Sequence, residues 1–379
     1  MLMRYLEPQI LKDLERKMVF LSGPRQAGKT TIAQGILKSR YDPAEHKSRY
    51  LNWDDSADRE LIFRGASPYA PGLVVFEELH KYARWRQYLK GLYDKRKDEL
   101  QILVTGSARL DYYRRGGDSL QGRYHHLRLH PLSLREVHPY AGDALADLLA
   151  LSGFPEPFLS GSADEARRWS REYRSRVLRE DLGDLEKVSE LSLLEHLAVR
   201  LPDLVGSPLS LNALREDLQV AHQTVSRWVG ILERLYQIFR IYPFGAPTIR
   251  AVKKEAKHYQ MDWTLVAAPG ARFENLVACH LLKENHFLED TKGIDRELRY
   301  FRDVESREVD FVVLEEKRPI RFVECKLSGR DASPSLRYLH HKFPAVPAIQ
   351  LEAAGDFDIM TKEGIRICAA ARFLSELAV

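Results

Sequence analysis

The chain has 379 residues, more than one hydrophobic core usually organises, so two or three domains are expected. A composition of 44% hydrophobic and 30% charged residues describes a globular protein, and its apolar runs are too short to span a bilayer, which excludes a membrane-spanning role. A net charge of +4 and a pI near 8.8 neither establish nor exclude a nucleic-acid partner.

The N-terminal stretch "MLMRYLEPQILKDLERK" carries charges throughout and lacks the apolar core of a signal peptide, so a cytoplasmic location is expected. Cys279, Cys325 and Cys368 are odd in number and far apart, which supports neither a disulfide framework nor a zinc site. Reduced thiols are the default.

"GPRQAGKT" (23–30) follows the apolar run "KMVFLS" and precedes "TTIAQGILKS", whose apolar spacing is helical. Gly23, Gly28, Lys29 and Thr30 fit the GxxxxGK[ST] pattern in the strand-to-helix context that a phosphate loop needs. Glycines let backbone N–H groups turn toward phosphates, Lys29 reaches the β and γ oxygens, and the Thr30 hydroxyl ligates magnesium. The nucleotide contacts are therefore assigned to Gly23, Pro24, Arg25, Gln26, Ala27, Gly28, Lys29, Thr30 and Thr31.

"GLVVFEELHK" (72–81) reads as a buried strand ending in two acids. Glu77 is placed to hold magnesium and Glu78 to polarise the attacking water, although the first acid of such a pair is usually Asp. "LQILVTGSARL" (100–110) reads as a third strand, with Thr105 or Ser107 as the group that senses the γ-phosphate. Arg109 and Arg123 are candidates to reach a γ-phosphate, their own or that of a neighbouring subunit.

The segments "FLSGPRQAGKTT", "YLNWDD", "VVFEELHK", "LVTGSARL" and "GRYHHLRLHPLSLREV" together resemble the successive blocks of a prokaryotic, archaeal-ATPase-like AAA+ group. In that group the ATPase is followed by a C-terminal domain of unknown function of the 4143 class, often related to restriction endonucleases. The resemblance implies ATP and magnesium as cofactors and a homo-oligomer, with a ring as one form. It departs at Glu77, where the group usually has Asp.

"SGFPEPFLSG" (152–161) is rich in Gly, Pro and Ser and marks the end of the ATPase core; the resemblance makes it a hinge. Within 207–244 a Ser-capped short helix, a break at "LQVAH" and a longer amphipathic helix form a helix-turn-helix, winged by "IFRIYPF". If it reads DNA, Gln223, Thr224, Ser226, Arg227 and Trp228 lie near its leading face, with Val225, Val229, Leu232 and Leu235 toward the core. A lid or protein-contact role is the alternative. The basic, aromatic stretches 84–97, 122–130 and 167–179 suit either phosphate contact with base stacking or solvated faces.

From about 270 a helix, "GARFENLVACHLLKEN", is followed by strands "ELRYFRD", "REVDFVVLEE" and "IRFVECKLS". Glu274, Asp310, Glu324 and Lys326 stand out, the last two on one face of a strand. This order resembles the PD-(D/E)xK nucleases, and implies that Asp310 and Glu324 bind magnesium, that Lys326 orients water, and that Glu274 completes the site.

The expected fold class is α/β: a P-loop AAA+ ATPase domain (1–150), a helical linker (151–205), a winged helix-turn-helix (206–262) and a restriction-endonuclease-like domain (263–379). The function expected is ATP-driven processing of duplex or branched DNA, with magnesium-dependent cleavage as one form. Two alternatives stay open, a non-cleaving switch that binds DNA or a protein, and a translocating motor.

Overall fold

The computed structural model describes residues 2–42, 45, 49–64, 70–106, 120–137, 143–185, 190–245 and 256–379, with the backbone alone for 180–185. The chain divides into two compact units, Met1–His130 and Pro131–Val379.

The first unit is built on a parallel sheet. Its strands are β1 (Met18–Ser22), β2 (Tyr50–Asn52), β3 (Gly72–Glu77), β4 (Leu100–Thr105) and β5 (Tyr124–Arg128), in the order β2-β3-β4-β1-β5. Parallel sheets are covered on both faces, and so β1 reads Met-Val-Phe-Leu-Ser with every residue buried instead of alternating. Around the sheet lie α1 (Glu7–Leu14), α2 (Lys29–Arg40), α3 (Ser56–Arg64) and α4 (Trp85–Arg96). Phe20, Val74, Phe76, Ile102 and Val104 pack with Trp85 and Leu89 in one core. Each buried apolar side chain of this size contributes about 1.5–3 kcal/mol, so a charged residue at Val74 would break the unit. Because β4 and β5 flank β1 on opposite sides, the loop leaving β1 opens at a topological switch point.

The second unit begins with α5 (Leu134–Val137), α6 (Ala144–Leu151), α7 (Pro155–Ser160), α8 (Ala163–Leu185) and α9 (Leu191–Arg200). "SGFPEPFLSG" is no open hinge. Phe154 is fully buried against Trp169 and Tyr173, with ring centroids 4.9 Å away from each. A Cβ on Gly153 would come within 2.4 Å of the Trp263 ring, so this glycine is needed for close packing. The same contacts correct the reading of 167–179 as a stacking surface, since Trp169 and Tyr173 face the core.

The unit boundary also falls before the expected position near 150, for a physical reason. Glu136 reaches back to Ser133 as in the acidic half of a capping box: the Ser133 N–H donates to Glu136 Oε2 at 2.9 Å, and its hydroxyl does so at 3.0 Å. The buried Lys283 ammonium closes this network by donating to the Pro131 carbonyl at 2.9 Å, to Ser133 Oγ at 3.0 Å and to Glu136. Residues 131–137 are thereby tied to α12 (Pro269–Lys292).

Next come α10 (Leu211–Leu218) and α11 (His222–Arg234). Ser210 Oγ accepts from the Ala213 N–H at 3.2 Å, Gln219 takes a left-handed conformation with φ of 54°, and α11 starts three residues later. Val225, Val229, Leu232 and Leu235 are buried. So is Trp228, which corrects its placement on the leading face; Gln223 and Arg227 are exposed, and Thr224 and Ser226 half-buried.

The strands that follow are β6 (Ile238–Pro243), β7 (Lys257–Gln260), β8 (Arg296–Arg302), β9 (Glu308–Glu315), β10 (Arg318–Lys326), β11 (Ala348–Glu352), β12 (Asp358–Met360) and β13 (Ile365–Ala369). They make one mixed sheet in the order β12-β13-β11-β10-β9-β8-β6-β7. The expected wing is thus the edge of the C-terminal sheet: β6 pairs antiparallel with β7 and parallel with β8. The helices α13 (Pro334–Lys342) and α14 (Ala370–Glu376) complete the unit. Among the described residues no helix is long and apolar enough to cross a membrane.

Candidate functional site

The phosphate loop joins β1 to α2, and its backbone shows why glycine is required. Gly23 has φ of 139°, and a Cβ there would sit 2.2 Å from the Leu129 carbonyl oxygen. Gly28 has φ of 99° and precedes Lys29 without a side-chain cap, leaving the first-turn N–H groups of α2 uncapped by it. The Lys29 ammonium donates to the carbonyls of Gly23 at 3.0 Å and Pro24 at 2.7 Å. Ala27 and Pro24 are buried, Arg25 is half-buried, Gln26 is exposed with φ of 58°, and Thr31 is exposed on the first turn of α2.

Arg4 is a member that the sequence reading missed. Its buried guanidinium donates to the Ala27 carbonyl within the loop and to the His130 carbonyl at 2.6 Å. An arginine in a charged N-terminal stretch carries no local signal of this role; only the fold brings it to residue 27.

At the C-terminal end of β3, Glu77 meets the loop. The Thr30 hydroxyl donates to Glu77 Oε1, and the Tyr50 hydroxyl donates to Glu77 Oε2. Burial and then the Glu77 carboxylate hold the Tyr50 phenol well above its ordinary range. Thr30 gives its proton to Glu77 and keeps its oxygen lone pairs, so the two side chains fit a magnesium ion that would complete its shell with phosphate oxygens and water. Thr105, paired in register with Glu77, is buried, and among the described residues its hydroxyl has no hydrogen-bond partner. It is available to an incoming oxygen, whereas Ser107 and Arg109 lie outside the described residues.

Glu78 adopts a left-handed backbone with φ of 54°, and its Oε2 lies 3.5 Å from His80 Nε2 and 3.7 Å from Lys81 Nζ. Arg123 does not belong to this edge. It precedes β5, whose first residue, Tyr124, is in register with Met18, while the loop leaves β1 after Ser22. At about 3.3 Å per residue, the strand length separates Arg123 from the loop on its own chain, beyond a side chain's reach. There it is bidentate with Asp94, at 2.7 and 3.0 Å.

The C-terminal acids form a second site within the second unit. Glu324 and Lys326 share a face of β10, with Lys326 Nζ 2.8 Å from Glu324 Oε1. Asp310 on β9 accepts the Cys325 N–H at 2.8 Å. Glu274 on α12 accepts from the Tyr259 hydroxyl at 2.7 Å and faces Lys257 Nζ at 3.5 Å. Lys257 is fully buried, pairs with Glu308 and lies 5.4 Å from the Tyr300 ring centroid.

Burial alone would discharge this ammonium, but the carboxylates of Glu274, Asp310 and Glu308 outweigh it and hold Lys257 above its usual value. The Asp310 carboxyl is pushed well above the carboxylate range by burial, then by Glu274 and Glu324, with Lys257 opposing. Burial likewise raises Glu274, against Lys257 and Tyr259.

Asp310 and Glu324, the expected magnesium ligands, stand on the paired strands β9 and β10. Among the described residues no group of three or more His, Cys, Asp or Glu side chains could hold a metal ion. Lys257, unremarked in the sequence, sets a positive charge against Glu274 and Glu308, while Glu324 Oε2 is buried without a hydrogen-bond partner among the described residues.

Comparison with known proteins finds three successive family matches along the chain. Residues 15–138 match the family described as AAA domain, residues 142–272 the domain of unknown function DUF8612, and residues 269–368 the domain of unknown function DUF4143. Two curated relatives are uncharacterized proteins of Mycobacterium tuberculosis and Mycobacterium bovis. Each is 26% identical over 370 residues, covering 90% of this chain and 82% of the relative. A solved structure of the Aeropyrum pernix ORC1 protein in complex with DNA is 13% identical, with a TM-score of 0.36 over 72% of this chain and 89% of that one.

Proposed function

We propose that this chain, an AAA+ type ATPase whose AAA domain is followed by a DUF4143 domain, uses the nucleotide at its phosphate loop to control its grip on DNA. The observation that carries the ATP half is the hydrogen bond from Thr30 to Glu77, which joins the loop to the acid of β3. Backbone N–H groups at the start of α2 would bind the phosphates, Lys29 would exchange the Gly23 and Pro24 carbonyls for phosphate oxygens, and Arg4 would keep the loop open at Ala27. Magnesium, when bound beside Thr30 and Glu77, would neutralise charge on the phosphate oxygens. Glu78 would orient water and Thr105 would bind a γ-oxygen.

The DNA half is supported by α10 and α11, a short helix and a longer one joined by a tight left-handed turn. The exposed Gln223 and Arg227 and the half-exposed Thr224 and Ser226 stand on the first turns of α11. With only Arg227 charged among these, backbone contact is favoured over sequence reading. The Lys257 arrangement favours a C-terminal domain that holds its partner without cutting it, since a domain of this kind needs an ion to hydrolyse a phosphodiester.

The test incubates the protein with linear, branched and single-stranded DNA in magnesium, with and without ATP, beside Lys29→Ala and Asp310→Ala variants. The expected result is an ATP-dependent change in DNA affinity that Lys29→Ala removes, with the DNA intact. Affinity indifferent to ATP would overturn the coupling, and cleavage lost in Asp310→Ala would overturn the non-cutting reading. An assembly that forms in ATP, with Arg123 or Arg109 reaching a neighbour's nucleotide, would be seen as a rise in molecular mass.

A further inference from the structure

Glu77 has one methylene more than the aspartate usual at its position, and therefore one more torsion to restrain before its carboxylate can serve a metal's water shell. The first unit contains a restraint. Tyr50 stands on β2, whose Asn52 is in register with Glu77, and its hydroxyl donates to Glu77 Oε2 while Thr30 holds Oε1. Thr30 and Gln34, four residues apart on one face of α2, are also near enough to the Tyr50 hydroxyl to act on its proton. The carboxylate is thus gripped through both oxygens, from the sheet on one side and from the loop helix on the other.

We infer that Tyr50 is a positioning residue for the divalent cation: its hydroxyl sets the longer Glu77 carboxylate where a shorter acid would stand unaided. The inference rests on the ATPase reading of the loop. It adds that Tyr50 and Glu77 work as a pair, so that tyrosine at 50 matters because glutamate is at 77. A hydroxyl bonded to a charged group is a strong hydrogen bond, and its loss frees the carboxylate to rotate away from Thr30.

The experiment measures binding, with turnover not required. ADP affinity is read in EDTA, and Mn2+ affinity of the ADP-loaded protein is read from the paramagnetic resonance of free Mn2+. Tyr50→Phe keeps the ring and its packing, so ADP binding in EDTA should stay within about twofold of wild type while Mn2+ binds about tenfold more weakly. In a Glu77→Asp background the shorter acid no longer reaches residue 50, and adding Tyr50→Phe should change Mn2+ affinity by less than about twofold.

Mn2+ affinity unchanged in Tyr50→Phe would overturn the role of Tyr50. So would an equal loss of ADP binding in EDTA, which marks a packing effect, or an undiminished effect in the Glu77→Asp background. A wild-type chain that binds no ADP would overturn the ATPase reading itself, a separate and recognisable failure.

Discussion

The two acid sites of this protein handle carboxylates in opposite ways. Glu77 is met by neutral hydroxyls, from Thr30 and Tyr50, at the open end of a parallel sheet. Glu274 and Glu308 are met by a buried ammonium, that of Lys257, behind a sheet edge. Hydroxyls orient a carboxylate without cancelling its charge and leave it attractive to a cation; an ammonium cancels it. The first arrangement is suited to recruiting an ion, the second to surviving burial without one, because an uncompensated buried charge is far more costly than a paired one.

The largest effect expected tests the second site. Lys257→Met leaves Glu274, Glu308 and Asp310 facing one another without a cation, and should lower unfolding stability by about 3–5 kcal/mol in chemical denaturation. Recovery of part of that loss in millimolar Mn2+ would show that the acids accept an ion once the lysine is gone. A negligible loss would break the contrast between the sites.

Lys29→Ala should weaken ATP binding by about 100-fold while leaving the second unit's unfolding transition in place. Calorimetric titration reads the first quantity and thermal scanning the second. ATP bound as tightly by the variant would remove the loop from the nucleotide site.

A third effect separates the units by pH. His280 is fully buried; its Nδ1 lies 2.8 Å from the Leu276 carbonyl, which it serves as donor, so that Nε2 is free to accept the Leu134 N–H at 3.0 Å. Burial first, with Lys283 adding and Glu136 and the Leu276 bond opposing, depresses its pKa to about 4. A depressed histidine means that the unfolded chain binds the extra proton first, so this contribution is present above the unfolded value near 6.5 and is lost as pH falls toward 4. The raised carboxyls of Glu274 and Asp310 act in the opposite sense, their burden easing as acid protonates them. Comparing wild type with His280→Gln isolates the histidine, whose removal should flatten the acid loss by on the order of 3 kcal/mol. Parallel curves for the two proteins would refute the assignment.

The smallest effect concerns Arg123. Its bidentate pair with Asp94 lies at the sheet edge away from the loop, so Arg123→Ala should leave the ATP affinity of the monomer within about twofold. A large loss in the monomer would mean that the side chain reaches its own nucleotide after all.

The first site was more legible than the second because its parts are consecutive. A phosphate loop is a local object: Gly23, Gly28, Lys29 and Thr30 take their places through the backbone of eight residues, and the apolar strands around them announce a parallel sheet. Glu77 could be found for the same reason, as the end of a buried strand. Tyr50 and Arg4 could not, since neither differs in its local pattern from an ordinary strand tyrosine or surface arginine. In the C-terminal region Asp310, Glu324 and Lys326 were visible on alternating strands, but Lys257, which changes what those acids can do, sits 53 residues before Asp310 in the numbering.

By itself, then, the sequence determined the α/β class, the phosphate loop with its strand and helix, and the helix pair at 211–234, all consequences of local periodicity and backbone stereochemistry. Tertiary structure alone decided that Trp228, Trp169 and Tyr173 face cores, that Arg123 stands away from its own loop, that the expected wing continues the C-terminal sheet, and that a lysine answers the acids. The physical reason is range. Hydrogen-bonded turns and apolar repeats are set by neighbours a few residues apart, whereas burial and charge compensation depend on which distant strands the sheet brings side by side.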